Sequence, residues 1–236
     1  MIKVYPYENL GHANHGWLDA RHHFSFASYY NPKRMNFGVL RVINDDRIAA
    51  GTGFSTHPHN NMEIITYVRA GAITHKDSMG NVGKTEAGDV QVMSAGTGVF
   101  HSEHNLENED TKLYQIWITP NKQNVLPRWE AKKFPKTFVE NNGELPILVS
   151  GREEDKNKNA LFIHSNSVIY AGNIKAGNKV ENKIKHQAYI LASDGEFTIN
   201  GVAMKKGDGA EILGEKIINI TAISDAEILI IDAPLN

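Results

Sequence analysis

Cysteine is absent from the 236 residues, which excludes disulfides, thiolate metal sites and cysteine nucleophiles together. An excess of one charge is also missing. Lys plus Arg total 25 against 27 for Asp plus Glu, a formal net charge of −2, so no basic field draws the chain to phosphate backbones and no direct nucleic-acid binding is expected. No run approaches the roughly 18 apolar residues that a membrane-spanning helix needs, so no membrane role is expected. Residues 1–10 carry Lys3, Pro6 and Glu8 and show no apolar signal-peptide core, which makes the cytoplasm the expected address. With thiolates gone, any tight metal site must be built from carboxylates and the 11 histidines.

A hydrophobic fraction of 41% and a charged fraction of 22% describe a globular chain, long enough for two domains of ordinary size. Short apolar or alternating runs recur: Phe37 to Ile43, Glu63 to Val68, Val90 to Met93, Leu113 to Ile118, Tyr189 to Ala192, Glu196 to Ile199 and Ile228 to Ile231. Their length and β-branched content predict strands. Asn44-Asp45-Asp46, Ser78 to Asn81, Ala87-Gly88-Asp89 and Lys206-Gly207-Asp208 read as turns between them. No long segment has helical periodicity, so the expected class is all-β, as barrels or sandwiches. Thr119 to Lys136, with Pro120, Pro127 and Pro135, reads as a connector with a helical turn near Arg128 to Lys132. Residues 140–158 read as a polar loop. The expected domains are therefore 1–135 and 136–236.

The halves resemble a worn repeat. Glu63 to Gly71, followed by Gly88-Asp89, can be laid over Gln187 to Gly195, followed by Gly207-Asp208. This suggests two copies of one barrel.

Two short segments carry the chemistry. Gly51 to Glu63 contains His57-Pro58-His59, and Gly96 to Asn105 contains His101-Ser102-Glu103. Alternate residues of a strand point to one face, so each pair can aim two ligands at one point. A lone His-x-His is usually a surface or hydrogen-bonded pair, but two such pairs in a cysteine-free β chain point to a metal. Three imidazoles and a carboxylate suit iron, manganese, nickel, copper or zinc.

These segments resemble the two motifs of the cupin superfamily and, more narrowly, those of the pirin family. The stretches THPHNNMEIITYV and SAGTGVFHSEHN carry the likeness, with GHANHGWLDARHHFSFASYYNP, FGVLRVINDD and YQIWITP beside them. It covers nearly all of residues 1–130 and extends to the short bacterial members described as quercetin 2,3-dioxygenases. The resemblance implies a bicupin, two jelly-roll β-barrels, with one metal in the first. It implies the ligands His57, His59, His101 and Glu103, and Fe(II) as the metal, with zinc, nickel, copper, manganese and cobalt as alternatives. In the general cupin motif the carboxylate ligand would be Glu63. The pirin likeness moves it to Glu103, which His101-x-Glu103 alternation also favours, leaving Glu63 a supporting hydrogen-bonding role.

Other residues are assigned lesser roles. His12, His15, His22 and His23 are not expected to be ligands, although His23 to Phe26 is expected to line or cover the barrel. His75 reads as a solvated residue after a strand end, and His164 and His186 lack a partner two residues away. Trp17, Trp117 and Trp129 read as core or interface aromatics. In the second half the repeat places Glu181, Lys183, Ile220 and Ala222 at the four ligand positions, which cannot hold a divalent cation.

Three functions remain open. The resemblance implies a dioxygenase that takes dioxygen and a flavonol-like substrate, with Glu103 as the catalytic base. Its relatives also include redox-responsive partners of other proteins, so a protein partner is a second reading. A metal cupin acting on a small acid or sugar is the third. An apolar cavity wall favours the flavonol, and a wall of Arg and Lys favours the acid.

Overall fold

The computed structural model describes residues 1–136, 138–139 and 143–235. Among the described residues the regular structure is strand except for two short 3-10 turns at Tyr7–Asn9 and Glu153–Asp155, so the expected all-β class holds. No helix among the described residues is long and apolar enough to cross a membrane. Contacts divide the chain into two compact units, 11–135 with 161–165, and 1–10 with 136–160 and 166–236. The first ten residues thus join the carboxyl-terminal unit. The reason is a β-ladder: Ile2–Tyr5 pairs antiparallel with Gly209–Ile212, a partner no local pattern announces.

The amino-terminal unit has two antiparallel sheets. The larger runs Arg128–Lys132, Val90–Ser94, Glu63–Ala70, Thr111–Ile118, Leu40–Ile48, Leu18–His22 and Gly11–Asn14 in spatial order. The smaller runs Gly53–His59, Val99–His104, Ala72–Asp77 and Val82–Glu86. Ile48, Val68, Ile73 and Leu113 form one core cluster, and Ile64, Met93, Ala95 and Val99 another. Pro58 is tolerated in its strand because Gly53–His59 is a sheet edge, where a missing N–H costs no ladder bond.

The other unit repeats the plan. Gln187–Asp194 lies between Gly209–Ile212 and Ala226–Ala233, as Glu63–Ala70 lies between Val90–Ser94 and Thr111–Ile118. The small sheet recurs as Lys179–Lys183, Ile217–Ala222, Glu196–Ile199 and Val202–Lys205. Phe197, Ile190, Ile220 and Ile230 anchor its core.

Three local readings are corrected. Asn44-Asp45-Asp46 is the middle of the strand Leu40–Ile48. Asn44 and Asp46 are buried, His22 Nδ1 lies 2.8 Å from Asn44 Oδ1, and Asp45 pairs with Arg69, so polar side chains stand where a strand pattern leads one to expect apolar ones. Arg128–Lys132 is a strand, because it adds to the sheet edge at Val90–Ser94. In the polar stretch 140–158, residues 140–142 lie outside the described residues. The rest contains the strand Ile147–Ser150, and a 3-10 turn in which buried Asp155 accepts the Ser150 hydroxyl at 2.7 Å.

Candidate metal centre

The strands Gly53–His59 and Val99–His104 pair antiparallel, with His57 opposite His101 and His59 opposite Val99. A bulge between His101 and Glu103 sets Glu103 against Phe54. Period-2 alternation then buries His101 and Glu103, leaves Phe100 exposed between Val99 and His101, and leaves His57 and His59 half-buried on either side of exposed Pro58. The ring centroids of His57, His59 and His101 lie 4.5 to 5.0 Å apart, and their ligating nitrogens fall within 4.8 Å of one another. Glu103 shares a second such group, with His101 and His75.

The protonation pattern follows from the hydrogen bonds. His57 Nδ1 lies 2.7 Å from the Ser55 carbonyl, which can only accept, so Nδ1 carries the proton and Nε2 keeps its lone pair. Burial holds His59 down at about 4 and His101 down at about 3, with the neighbouring imidazoles adding to both. His59 and His101 are therefore neutral at pH 7, the form that ligates a metal. The buried Nε2 of His101 has no hydrogen-bond partner. An orphaned buried acceptor beside two more imidazoles is costly unless something binds there, and a divalent transition metal fits.

Glu103 is wholly buried among neutral donors. Its Oε1 accepts from Gln91 Nε2 at 2.6 Å and Thr66 Oγ1 at 3.1 Å, and its Oε2 accepts from Gln115. Gln91 is itself held by the Thr85 hydroxyl at 3.0 Å. Burial pushes the carboxyl up to about 7, against the pull of these hydrogen bonds. A carboxylate fixed in direction and poised near neutral pH is equipped to take or give a proton. Glu63 is instead occupied by the Ser94 hydroxyl at 2.7 Å, a structural role on another strand.

A cavity of about 860 Å³ opens from these side chains. Its wall is aromatic and aliphatic, from Trp17, Phe26, Phe54, Ile64 and Trp117, with His15, His22 and Asn44 as polar points. Neither lysine nor arginine is among its described lining residues. Phe26 meets Trp117 edge-on at 5.4 Å, and Trp117 in turn meets His59 at 4.9 Å. Trp17 and Trp117 are therefore wall residues and not merely core aromatics. The segment His23 to Phe26 both lines and buries: Phe26 faces the cavity, while His23 and Phe24 are 1% exposed.

His75 is the residue whose role the sequence reading missed. It lies inside the strand Ala72–Asp77, fully buried, with Nε2 2.9 Å from Asp77 Oδ2 and Nδ1 3.4 Å from His101 Nδ1. The strand does not end before His75 but runs on through it to Asp77, where the turn at Ser78 begins. The alternation His75-x-Asp77 was the available signal, the same one that marked His57 and His101.

In the second barrel the ligand positions fall differently from the expected ones. Val180 lies opposite Ile220 and Asn182 opposite Ile218, so Val180 and Asn182 hold the places of His57 and His59. Glu181 and Lys183 point outward and are exposed. Four residues separate Asn182 from Gln187, but only three separate His59 from Glu63, and one extra residue flips the face. Ile220 and Ala222 are buried in the core, as the alignment placed them.

Comparison with known proteins agrees with this architecture. Residues 4–118 match the pirin family model, and residues 147–233 match the quercetinase C-terminal cupin domain. The chain is 43% identical to the quercetin 2,3-dioxygenase of Escherichia coli K12, over 99% of both chains. It is 49% identical to a pirin-like protein of Caulobacter vibrioides, over 99% of this chain and 100% of that one. A crystal structure of a bacterial pirin from Escherichia coli in complex with nickel(II) superposes with a TM-score of 0.91 at 42% identity, covering 100% of both chains.

Proposed function

The chain belongs to the pirin family, and from that premise we propose that it is a metal-dependent dioxygenase that cleaves flavonols. His57, His59, His101 and Glu103 would hold one divalent transition metal, Fe(II) first. When bound, such a metal would supply Lewis acidity toward a flavonol held in the cavity. Ring cleavage then consumes dioxygen and releases carbon monoxide.

The chain's own residues supply the rest. The aromatic wall of Trp17, Phe26, Phe54 and Trp117 matches the flat, apolar faces of a flavonol, and its volume of about 860 Å³ lies within the usual range for small-molecule sites. Glu103 takes the 3-hydroxyl proton, and the amides of Gln91 and Gln115 keep its carboxylate aimed. The wall excludes bulk water from the activated ring. The observation that carries the reading is this wall: it is apolar where a site for a small acid would present Arg or Lys. The carboxyl-terminal barrel, with Val180, Ile220 and Ala222 at its centre, serves as a structural or interaction module.

The test is aerobic turnover of a panel of flavonols by protein of measured metal content. Dioxygen uptake with stoichiometric carbon monoxide supports the reading. A protein inert toward every flavonol with iron, nickel or copper loaded overturns it, and the redox-responsive partner role takes its place.

A further inference from the structure

The amino-terminal unit holds a buried file of three side chains, Asp77, His75 and His101. Asp77 sits at the head of the turn Ser78 to Asn81. Its Oδ1 accepts from the backbone N–H of Met79 at 2.9 Å and of Asn81 at 3.0 Å, and its Oδ2 accepts from Asn81 Nδ2 at 2.9 Å. That turn fixes the carboxylate before any imidazole reaches it. His75 Nε2 lies 2.9 Å from the same Oδ2, and His75 Nδ1 lies 3.4 Å from Nδ1 of His101.

The positions of the protons follow in order. A carboxylate accepts, so His75 Nε2 carries a proton. A neutral imidazole has one, so His75 Nδ1 is a bare acceptor. His101 Nδ1 must then be the donor to it, which leaves the lone pair of His101 on Nε2. That atom is buried and has no hydrogen-bond partner. Both nitrogens of His75 are spent inside the file, so His75, although grouped with His101 and Glu103 by distance, is no ligand itself. Trp129 closes the arrangement by stacking on His75, centroids 4.9 Å apart and planes 6° from parallel.

We propose that Asp77 and His75 form a carboxylate–imidazole relay that positions His101, fixing its ring and presenting Nε2 to a divalent transition metal. This rests on the metal-binding reading above. His75 and Asp77 are positioning residues: they act through His101 and touch neither metal nor substrate. Each of the other two rings has a different arrangement, since His57 leans on the Ser55 carbonyl and His59 on Trp117. Of the three rings, only His101 is held by a chain ending in a carboxylate, which makes it the one whose support matters most.

The test uses nickel(II), titrated against a competing chelator, with cobalt(II) as the spectroscopic probe. His75→Phe keeps a flat ring against Trp129 but removes the acceptor. It should weaken nickel binding by about ten- to a hundredfold, the usual loss when such a supporting partner is removed, and shift the visible ligand-field bands of the cobalt protein. His75→Gln restores an acceptor oxygen and should recover most of the affinity. Asp77→Asn reads the far end of the relay without changing its size, should weaken binding in the same direction, and decides the matter if His75→Phe does not fold. Metal-free unfolding midpoints separate binding from stability. Wild-type nickel affinity and an unchanged cobalt spectrum in folded His75→Phe would overturn the relay while leaving the metal reading intact. A His75→Gln no better than His75→Phe would overturn it too. Wild type that takes up no nickel overturns both.

Discussion

Gly83 and Trp129 meet where a side chain would not fit: a Cβ built on Gly83 falls 2.2 Å from Cη2 of the Trp129 ring. The ring cannot retreat freely, because it also lies stacked flat on His75. The close approach joins the strand Val82–Glu86 to Arg128–Lys132, and so ties the outer sheet edge to the buried file behind His101.

Gly83→Ala therefore overpacks this contact. The expected cost is about 1–3 kcal/mol, the range for an added methyl in a filled core. Urea unfolding of metal-free protein measures it. A variant as stable as wild type would show that Trp129 moves aside at little cost.

One metal ion per chain is expected, because the two converging donor groups among the described residues share His101, and both nitrogens of His75 are already engaged. His57→Ala and His101→Ala should each lose the ion and keep the fold, since the surrounding core of Ile48, Val68, Ile73 and Leu113 is apolar and needs no metal to pack. Elemental analysis and far-ultraviolet circular dichroism decide this together. Full occupancy in both variants, or two ions per wild-type chain, would refute it.

Glu103→Gln should impair chemistry more than metal content. Gln retains one oxygen that can coordinate, although weakly, but it cannot accept the flavonol proton. Loss of general-base assistance costs about a hundredfold to ten-thousandfold. Dioxygen uptake compared at matched metal occupancy reads the difference. Equal turnover by both proteins would leave the activity standing and remove Glu103 as its base.

Acid should destabilise the metal-free protein well before its surface carboxylates titrate. Burial holds His23 down at about 3, His101 at about 3 and His59 at about 4, whereas an unfolded imidazole titrates near 6.5. Between about pH 6.5 and 4 the unfolded chain binds protons that the folded chain refuses, so stability is complete above that window and falls as pH drops through it. Glu103, raised to about 7, and the raised Asp46 and Glu63 act in the opposite sense over the same window, but the lowered histidines, which also include His22, His75, His164 and His186, outnumber them. Urea midpoints at several pH values, with chelator present, should rise from pH 4.5 to 6.5. A flat or falling profile would contradict the buried, neutral state of these rings.

What the sequence determined by itself was periodicity and chemistry. Alternation placed His57 with His59 and His101 with Glu103, the missing cysteines restricted any metal site to such residues, and the repeat of Glu63 to Gly71 in Gln187 to Gly195 announced a second barrel. Periodicity states which side chains share a face. It does not state which face is inside, where a strand stops, or which strand lies opposite. Those depend on hydrogen-bonded register between distant segments, and there the tertiary structure decided: Ile2–Tyr5 went to Gly209–Ile212, and Asn44 and Asp46 turned inward within a strand. One extra residue before Gln187 put Val180 and Asn182, not Glu181 and Lys183, on the inner face. His75 shows the limit most clearly. In the sequence its alternation with Asp77 puts the two on one strand face but does not say what they meet; in the fold, Ala72–Asp77 pairs with Val99–His104 and sets its ring beside His101, because a ladder fixes neighbours that no local pattern can name.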